Sequence, residues 1–252
     1  MAGHSKWSNI KERKGKQDKK RSKIFSRIIK EIHVAIKENN LNGDPETNPA
    51  LRNAVQNAKG VNMPKDNVDR AIKKAMGAGS EDYHHLNFEG YGPHGIPIFV
   101  ECTSDNQNRI VAEIRAIFTK YGGNLGTNGS LEFLFDRLGV FTIDKENIEQ
   151  DWEELQFELI EHGAESFDET DESYIIYSGF TDFGNVSSKL EEMGIEVRST
   201  ELQRIPHTTE VLPLNQAMTI LKMIDAFEDN DDVQNVFHNL ELTDELEEEL
   251  SK

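Results

Sequence analysis

The start of this chain is crowded with cations. Lys6, Lys11, Arg13, Lys14, Lys16, Lys19, Lys20, Arg21 and Lys23 fall within 18 positions. Ammonium and guanidinium groups at that density suit a polyanion, because each phosphate they neutralise releases condensed counterions. The chemistry expected is electrostatic, salt-dependent and carries little base information. Trp7 lies inside the run. Its indole either stacks on an exposed base, worth roughly 1–3 kcal/mol, or docks on the folded body as an apolar anchor. A membrane surface is a poorer target, since residues 1–21 offer only Trp7 and Ile10 for an apolar face.

The overall charge of −18 hides this clue. Residues 1–76 carry 18 Lys/Arg and 8 Asp/Glu, a net of +10, while residues 77–252 carry 10 and 38, a net of −28. Such asymmetry points to a polyanion partner at one end. The acidic remainder is a solvated face. Its collective field repels nucleic acid from that part of the molecule and could meet a basic protein.

Other constellations carry less. Gly90, Gly92 and Gly95 match G-x-G-x-x-G, but a strand is expected after them, where a dinucleotide site needs a helix. A tight turn is the better reading. His84, His85 and His94 could gather on a metal only if the fold converged them, and no H-E-x-x-H or C-x-x-C spacing occurs. The single cysteine, Cys102, excludes an internal disulfide. There is no G-x-S-x-G elbow and no P-loop. No metal, no cofactor and no catalysis are expected.

The elements that carry these residues follow from periodicity. Residues 1–21 lack an apolar repeat and are expected to be flexible, or helical only when bound. From Ser22, the residues Ile24, Phe25, Ile28, Ile29, Ile32 and Ile36 form a helical stripe. Asn48-Pro49 starts a second helix with Leu51, Ala54, Val55 and Ala58 on one face. Pro64 opens a third, with Val68, Ile72 and Ala75 inward and Gly77 closing it. Lys59, Lys65, Arg70, Lys73 and Lys74 are a reserve set of cations on these helices.

Beyond the linker near residue 79 the pattern is α+β. Strands are expected at 96–102 and 131–135, around a helix carrying Ile110, Ile114, Ile117 and Phe118. A strand around 208–212, a helix with Ala217, Leu221 and Ile224, and a short strand at 233–239 make a second half. Between the halves, strands at 140–143, 164–168, 173–178 and 195–200 alternate with helices at Trp152–Ile160 and Phe183–Met193. That order, βαββαβ, is ferredoxin-like. The expected domains are a basic helical one at 1–79, a discontinuous α+β one at 80–137 and 205–242 built as split βαβ/βαβ, and an inserted ferredoxin-like one at 138–204. The acidic tail after 242 is expected to be a solvated helix or frayed end.

Several segments also match a known family. AGHSKW at 2–7, NIKERK at 9–14, QDKKRSKIF at 17–25 and NPALRNAV at 48–55 resemble the start of the YebC/PmpR family. NMPKDNVDRAIKK at 62–74, EGYGPHG at 89–95, ECTSDNQNR at 101–109, KYGGNLGTNGSLEFLF at 120–135 and DDVQNVFHN at 231–239 belong to the same pattern. One departure is His94, where the family loop usually has glycine.

The resemblance implies a three-domain α+β protein acting in gene expression without catalysis. Bacterial members are described as DNA-binding transcriptional regulators. The organellar relative is a translational activator of a cytochrome oxidase subunit, which makes ribosomal RNA or tRNA, and the ribosome, the competing target. It also implies a nucleic-acid role for Lys6, Lys11, Arg13, Lys14, Lys20 and Arg21, with His4, Ser5 and Trp7 beside them. Lys23 completes the set by its place in the cationic run. A cytoplasmic monomer bound to DNA or ribosomal RNA, and not to a membrane, is the expectation. An acidic protein-interaction scaffold with an incidental basic arm is the weaker alternative.

Overall fold

The computed structural model describes residues 17–77 and 82–250, with side chains from Ser22 onward. Two compact units divide the chain. One takes the described parts of Met1–Ser80 together with Arg137–Ile205, and the other Glu81–Asp136 together with Pro206–Lys252.

Three helices open the first unit: α1 (Gln17–Glu38), α2 (Pro49–Gly60) and α3 (Lys65–Met76). Their apolar stripes meet in one core, where Ile28, Ile32 and Ile36 face Leu51, Ala54 and Ala58 of α2 and Val68, Ala71 and Ala75 of α3. Asn48 fixes the entry to α2. Its side chain accepts from Leu51 N at 3.1 Å and donates to the carbonyls of Ala35 and Asn42, both at 2.9 Å. This N-cap is buried, so its lost hydrogen bonds would have no water to replace them. Helix α1 starts at Gln17, ahead of the apolar stripe. Lys, Arg and Gln are good helix formers, and they extend a helix whose next turns are already packed.

The chain then forms β1 (His84–Tyr91), β2 (Pro97–Ser104), α4 (Gln107–Lys120) and the two-residue β3 (Asn124–Leu125) of the second unit. From there β4 (Phe135–Asp144), α5 (Trp152–Glu161), β5 (Ala164–Glu169), β6 (Ser173–Gly179), α6 (Phe183–Glu192) and β7 (Ser199–Pro206) follow. These give the βαββαβ order in a sheet arranged β5-β6-β4-β7. Phe141, Ile143, Leu155, Leu159, Val186 and Leu190 are buried between its sheet and helices. Finally α7 (Leu214–Glu228), β8 (Val233–His238) and α8 (Asp244–Leu250) complete the second unit, whose sheet runs β3-β1-β2-β8. The fold is mixed α+β with helices first, as the sequence implies.

Individual elements differ from expectation. Strand β1 was hidden by its polar residues, His84, His85, Asn87 and Glu89, and pairs antiparallel with β2 along its whole length. The strand expected at 131–135 begins only at Phe135. Glu132–Leu134 is a 3-10 turn, closed by Leu134 N donating to Leu131 O at 2.9 Å, and it leaves Phe133 exposed. The strand expected around 208–212 is a single bridge, Glu210 to Leu240, because only that short stretch after β8 offers it a partner. The last strand of the insert starts at Ser199 rather than Ile195, with Ile195–Arg198 as its approach. In the acidic tail α8 is not wholly solvated, since Leu246 is buried.

Candidate nucleic-acid interface

The expected cationic site begins outside the described residues. His4, Ser5, Lys6, Trp7, Lys11, Arg13 and Lys14 all lie there. Lys20 and Arg21 sit in the first turns of α1, where only the backbone is described. Lys23 follows one turn later and is half-buried.

Further described cations lie on α2 and α3. Helix α3 turns Val68, Ala71 and Ala75 into the core and leaves Lys65, Arg70, Lys73 and Lys74 exposed, with Asp66 and Asp69 between them. Lys73 and Lys74 occupy its last turn, where the helix dipole favours cations. Arg70 folds back on its own helix, donating to Asp66 O at 3.0 Å and to Asn67 Oδ1. The turn into α3 is fixed. Met63 is buried, and Asn62 takes a left-handed φ of 55° that asparagine tolerates.

Helix α2 has a different job. Its Asn57 amide donates to Thr200 O at 3.0 Å and accepts from Thr200 N at 2.9 Å, satisfying both backbone groups of one residue on edge strand β7. Arg52 pairs with Glu191 at 2.7 Å and also donates to the carbonyls of Pro45 and Glu46. A Cβ on Gly60 would stand 1.8 Å from the Arg198 carbonyl oxygen. The helical segment is therefore clasped to the ferredoxin-like insert within the first unit. The clasp joins residues more than 130 positions apart, so no local sequence signal announces it.

The other candidate constellations resolve as structure. The Gly90–Gly95 segment links two antiparallel strands through a 3-10 turn at Pro93–Gly95, with Gly92 N donating to Ile96 O at 2.8 Å. No helix follows that could present its N-terminus to a pyrophosphate. Gly90 permits close approach, since a Cβ there would lie 2.5 Å from Asn124 O. His84 and His85 sit at the start of β1 and His94 lies past its far end. An eight-residue strand is roughly 25 Å long, so these histidines do not converge. His84 pairs with Asp82 at 3.2 Å, and His85 Nδ1 lies 3.1 Å from Thr103 Oγ1. Among the described residues no group of His, Cys, Asp and Glu could hold a metal ion, and no helix is long and apolar enough to cross a membrane.

Two polar clusters in the second unit are structural as well. Buried Glu89 accepts from Gly129 N and Leu131 N, each at 2.6 Å, and pins the loop between β3 and β4. Buried Asp232 accepts from Ser104 Oγ at 2.7 Å and from Arg109 at 2.6 Å. Its hydrogen bond, followed by that of Asp105, pushes the Arg109 guanidinium still further up from its ordinary value.

Comparison with known proteins covers almost the whole chain. A family model described as the TACO1/YebC protein N-terminal domain matches residues 5–78, and one described as the TACO1/YebC second and third domain matches residues 83–240. A protein of Amoebophilus asiaticus named "Probable transcriptional regulatory protein" is 48% identical over 242 residues, covering 95% of this chain and 98% of that one. One of the same name from Persephonella marina is 46% identical and covers 100% of both chains. The crystal structure of a conserved hypothetical protein from Aquifex aeolicus matches with a TM-score of 0.79 at 38% identity, over 93% of this chain and 96% of that one.

Proposed function

The chain belongs to the TACO1/YebC family, and from that premise we propose that it is a nucleic-acid-binding regulator of gene expression that acts on DNA in transcription. The observation that carries this is the segregation of charge: net +10 over residues 1–76 in a chain of net −18. The names of its bacterial relatives, transcriptional regulatory proteins, support the same reading. The protein works as a cytoplasmic monomer without catalysis. Its cations, Lys6, Lys11, Arg13, Lys14, Lys20, Arg21 and Lys23, hold phosphates, while His4, Ser5 and Trp7 lie beside them. Phosphate contacts set affinity and register but leave base sequence unread.

Structured RNA of the translation apparatus is the second reading. The observation that favours it is the Lys-rich run with a single Trp, which suits shape recognition and stacking on an unpaired base. Crosslinking in cells, followed by sequencing of both DNA and RNA, separates the two. Enrichment of promoter DNA supports the transcriptional reading. Enrichment confined to ribosomal RNA or tRNA replaces it with the translational one. Enrichment of neither removes nucleic acid from the account and leaves the protein-interaction scaffold.

A further inference from the structure

We propose that a groove on the ferredoxin-like insert, between the end of α5 and α6, receives the chain's own N-terminal segment, residues 1–16, and so masks its cations from nucleic acid. The docking stands on the groove and the segment. Only the masking rests on the nucleic-acid reading above.

The first observation is an apolar pair on the outside of a helix. Phe157 is 70% exposed and Ile160 is 51% exposed. They lie three residues apart on α5, so they share one face. Among the described residues no other helix exposes two large apolar side chains. Single exposed apolar residues are ordinary, but a pair set beside a groove marks a contact.

The second observation is the groove and its charge. It is open, has a volume of about 460 Å³, and is lined by Ile160 together with Glu161, Asp182, Lys189 and Glu192. Its one lysine, Lys189, is held by Glu158 at 3.2 Å. Helix α5 adds Glu153 and Glu154 and carries no cation. Apolar surface ringed by carboxylates fits a segment that sets apolar residues among cations. A second copy of the groove is opposed, since acid would face acid.

The third is the segment and its tether. Residues 1–16 carry Lys6, Lys11, Arg13, Lys14 and Lys16 against Glu12 alone, with Trp7 and Ile10 three residues apart among them. The segment leads into α1, in the same unit as the insert. Glu191 and Ser187 of α6 already meet Arg52 and Asn53 of α2, so α6 stands beside the helices that the segment joins. Extended, the segment reaches roughly 50 Å, longer than a compact domain of this size is wide. Such a tether holds it at roughly millimolar effective concentration, so a weak site suffices. Phosphates and the groove's carboxylates then compete for the same cations. Nucleic acid binds only chains whose segment is released, and its affinity falls by the released fraction.

The test uses the full-length protein and a zero-length carbodiimide, which joins a lysine amine to a carboxylate in contact with it. Crosslinked peptides are mapped by mass spectrometry, with isotope-labelled and unlabelled chains mixed so that bonds within and between chains are told apart. Lys6, Lys11, Lys14 and Lys16 are expected to join Glu158, Glu161, Asp182 or Glu192 within one chain. A Phe157→Gln, Ile160→Gln variant is expected to lose most of these bonds. Its thermal unfolding should be nearly unchanged, since both side chains are exposed and glutamine suits a helix. It should bind a DNA duplex or an RNA hairpin, whichever the parent binds, about 3–10-fold more tightly. Crosslinks that are absent, that fall on acids outside the groove, or that persist in the variant overturn the docking. Crosslinks found only between chains overturn it too, and assign the groove to a second copy's segment. If the crosslinks form as expected while parent and variant bind nucleic acid equally, the masking falls. If neither binds nucleic acid, the docking stands and the nucleic-acid reading fails.

Discussion

His94 is a residue at which backbone and side chain disagree. It adopts φ 63° and ψ 15° in the hairpin turn, a left-handed conformation in which a Cβ crowds the backbone. It is exposed and makes no hydrogen bond or ion pair among the described residues, so nothing offsets the strain. His94→Gly is therefore expected to stabilise the second unit by about 0.5–1 kcal/mol, the relief of strain less the added freedom of the unfolded chain. Chemical denaturation reads this directly, and a destabilised variant would contradict it. Glu89 shows the opposite case. It is buried, and its two oxygens hold the amides of Gly129 and Leu131. Glu89→Ala strands both donors and is expected to cost about 2–4 kcal/mol. Hydrogen exchange of the residue 126–131 amides should rise with it. Protection that stays at the parent level would show that the loop holds itself without Glu89.

At the level of elements, the clasp between α2 and β7 makes the sharpest demand. Gly60→Ala places a methyl group against the Arg198 carbonyl, a backbone atom that cannot swing aside. The expected cost is about 1–3 kcal/mol. Asn57→Ala removes two hydrogen bonds to Thr200 and is expected to cost roughly 1–3 kcal/mol. Combined, the two should cost less than their sum, because both loosen one interface. Full additivity in denaturation would mean that they act on separate contacts. The sequence showed the apolar stripes of α1, α2 and α3, and the βαββαβ order, because each is written in local periodicity. It concealed β1, whose polar residues break the strand pattern, and the clasp, whose partners lie far apart in the chain. The strand expected at 131–135 gives way to a 3-10 turn up to Phe135, and the one at 208–212 is reduced to a single bridge. Alternating apolar residues favour a strand, but pairing decides it. The candidate site was legible as charge alone, since a cationic run names its ligand class and not its geometry.

Taken whole, the molecule divides its charge between a basic start and an acidic remainder, and that division is what the functional account uses. On the proposed function, the N-terminal cations supply affinity, and the acidic majority offers a polyanion no favourable field. Deleting residues 2–16 spares α1, which starts at Gln17, and removes Lys6, Lys11, Arg13, Lys14 and Lys16. The measurement that tests the central claim is nucleic-acid affinity as a function of salt, for the intact chain and for this deletion, on duplex DNA and on structured RNA. With about six to eight phosphate contacts, log affinity of the intact chain is expected to fall against log salt with a slope of roughly −4 to −7. The deletion should remove about five contacts' worth of that slope and most of the affinity. A flat salt response of the intact chain on both ligands, or a deletion that binds as tightly as the parent, would contradict the account.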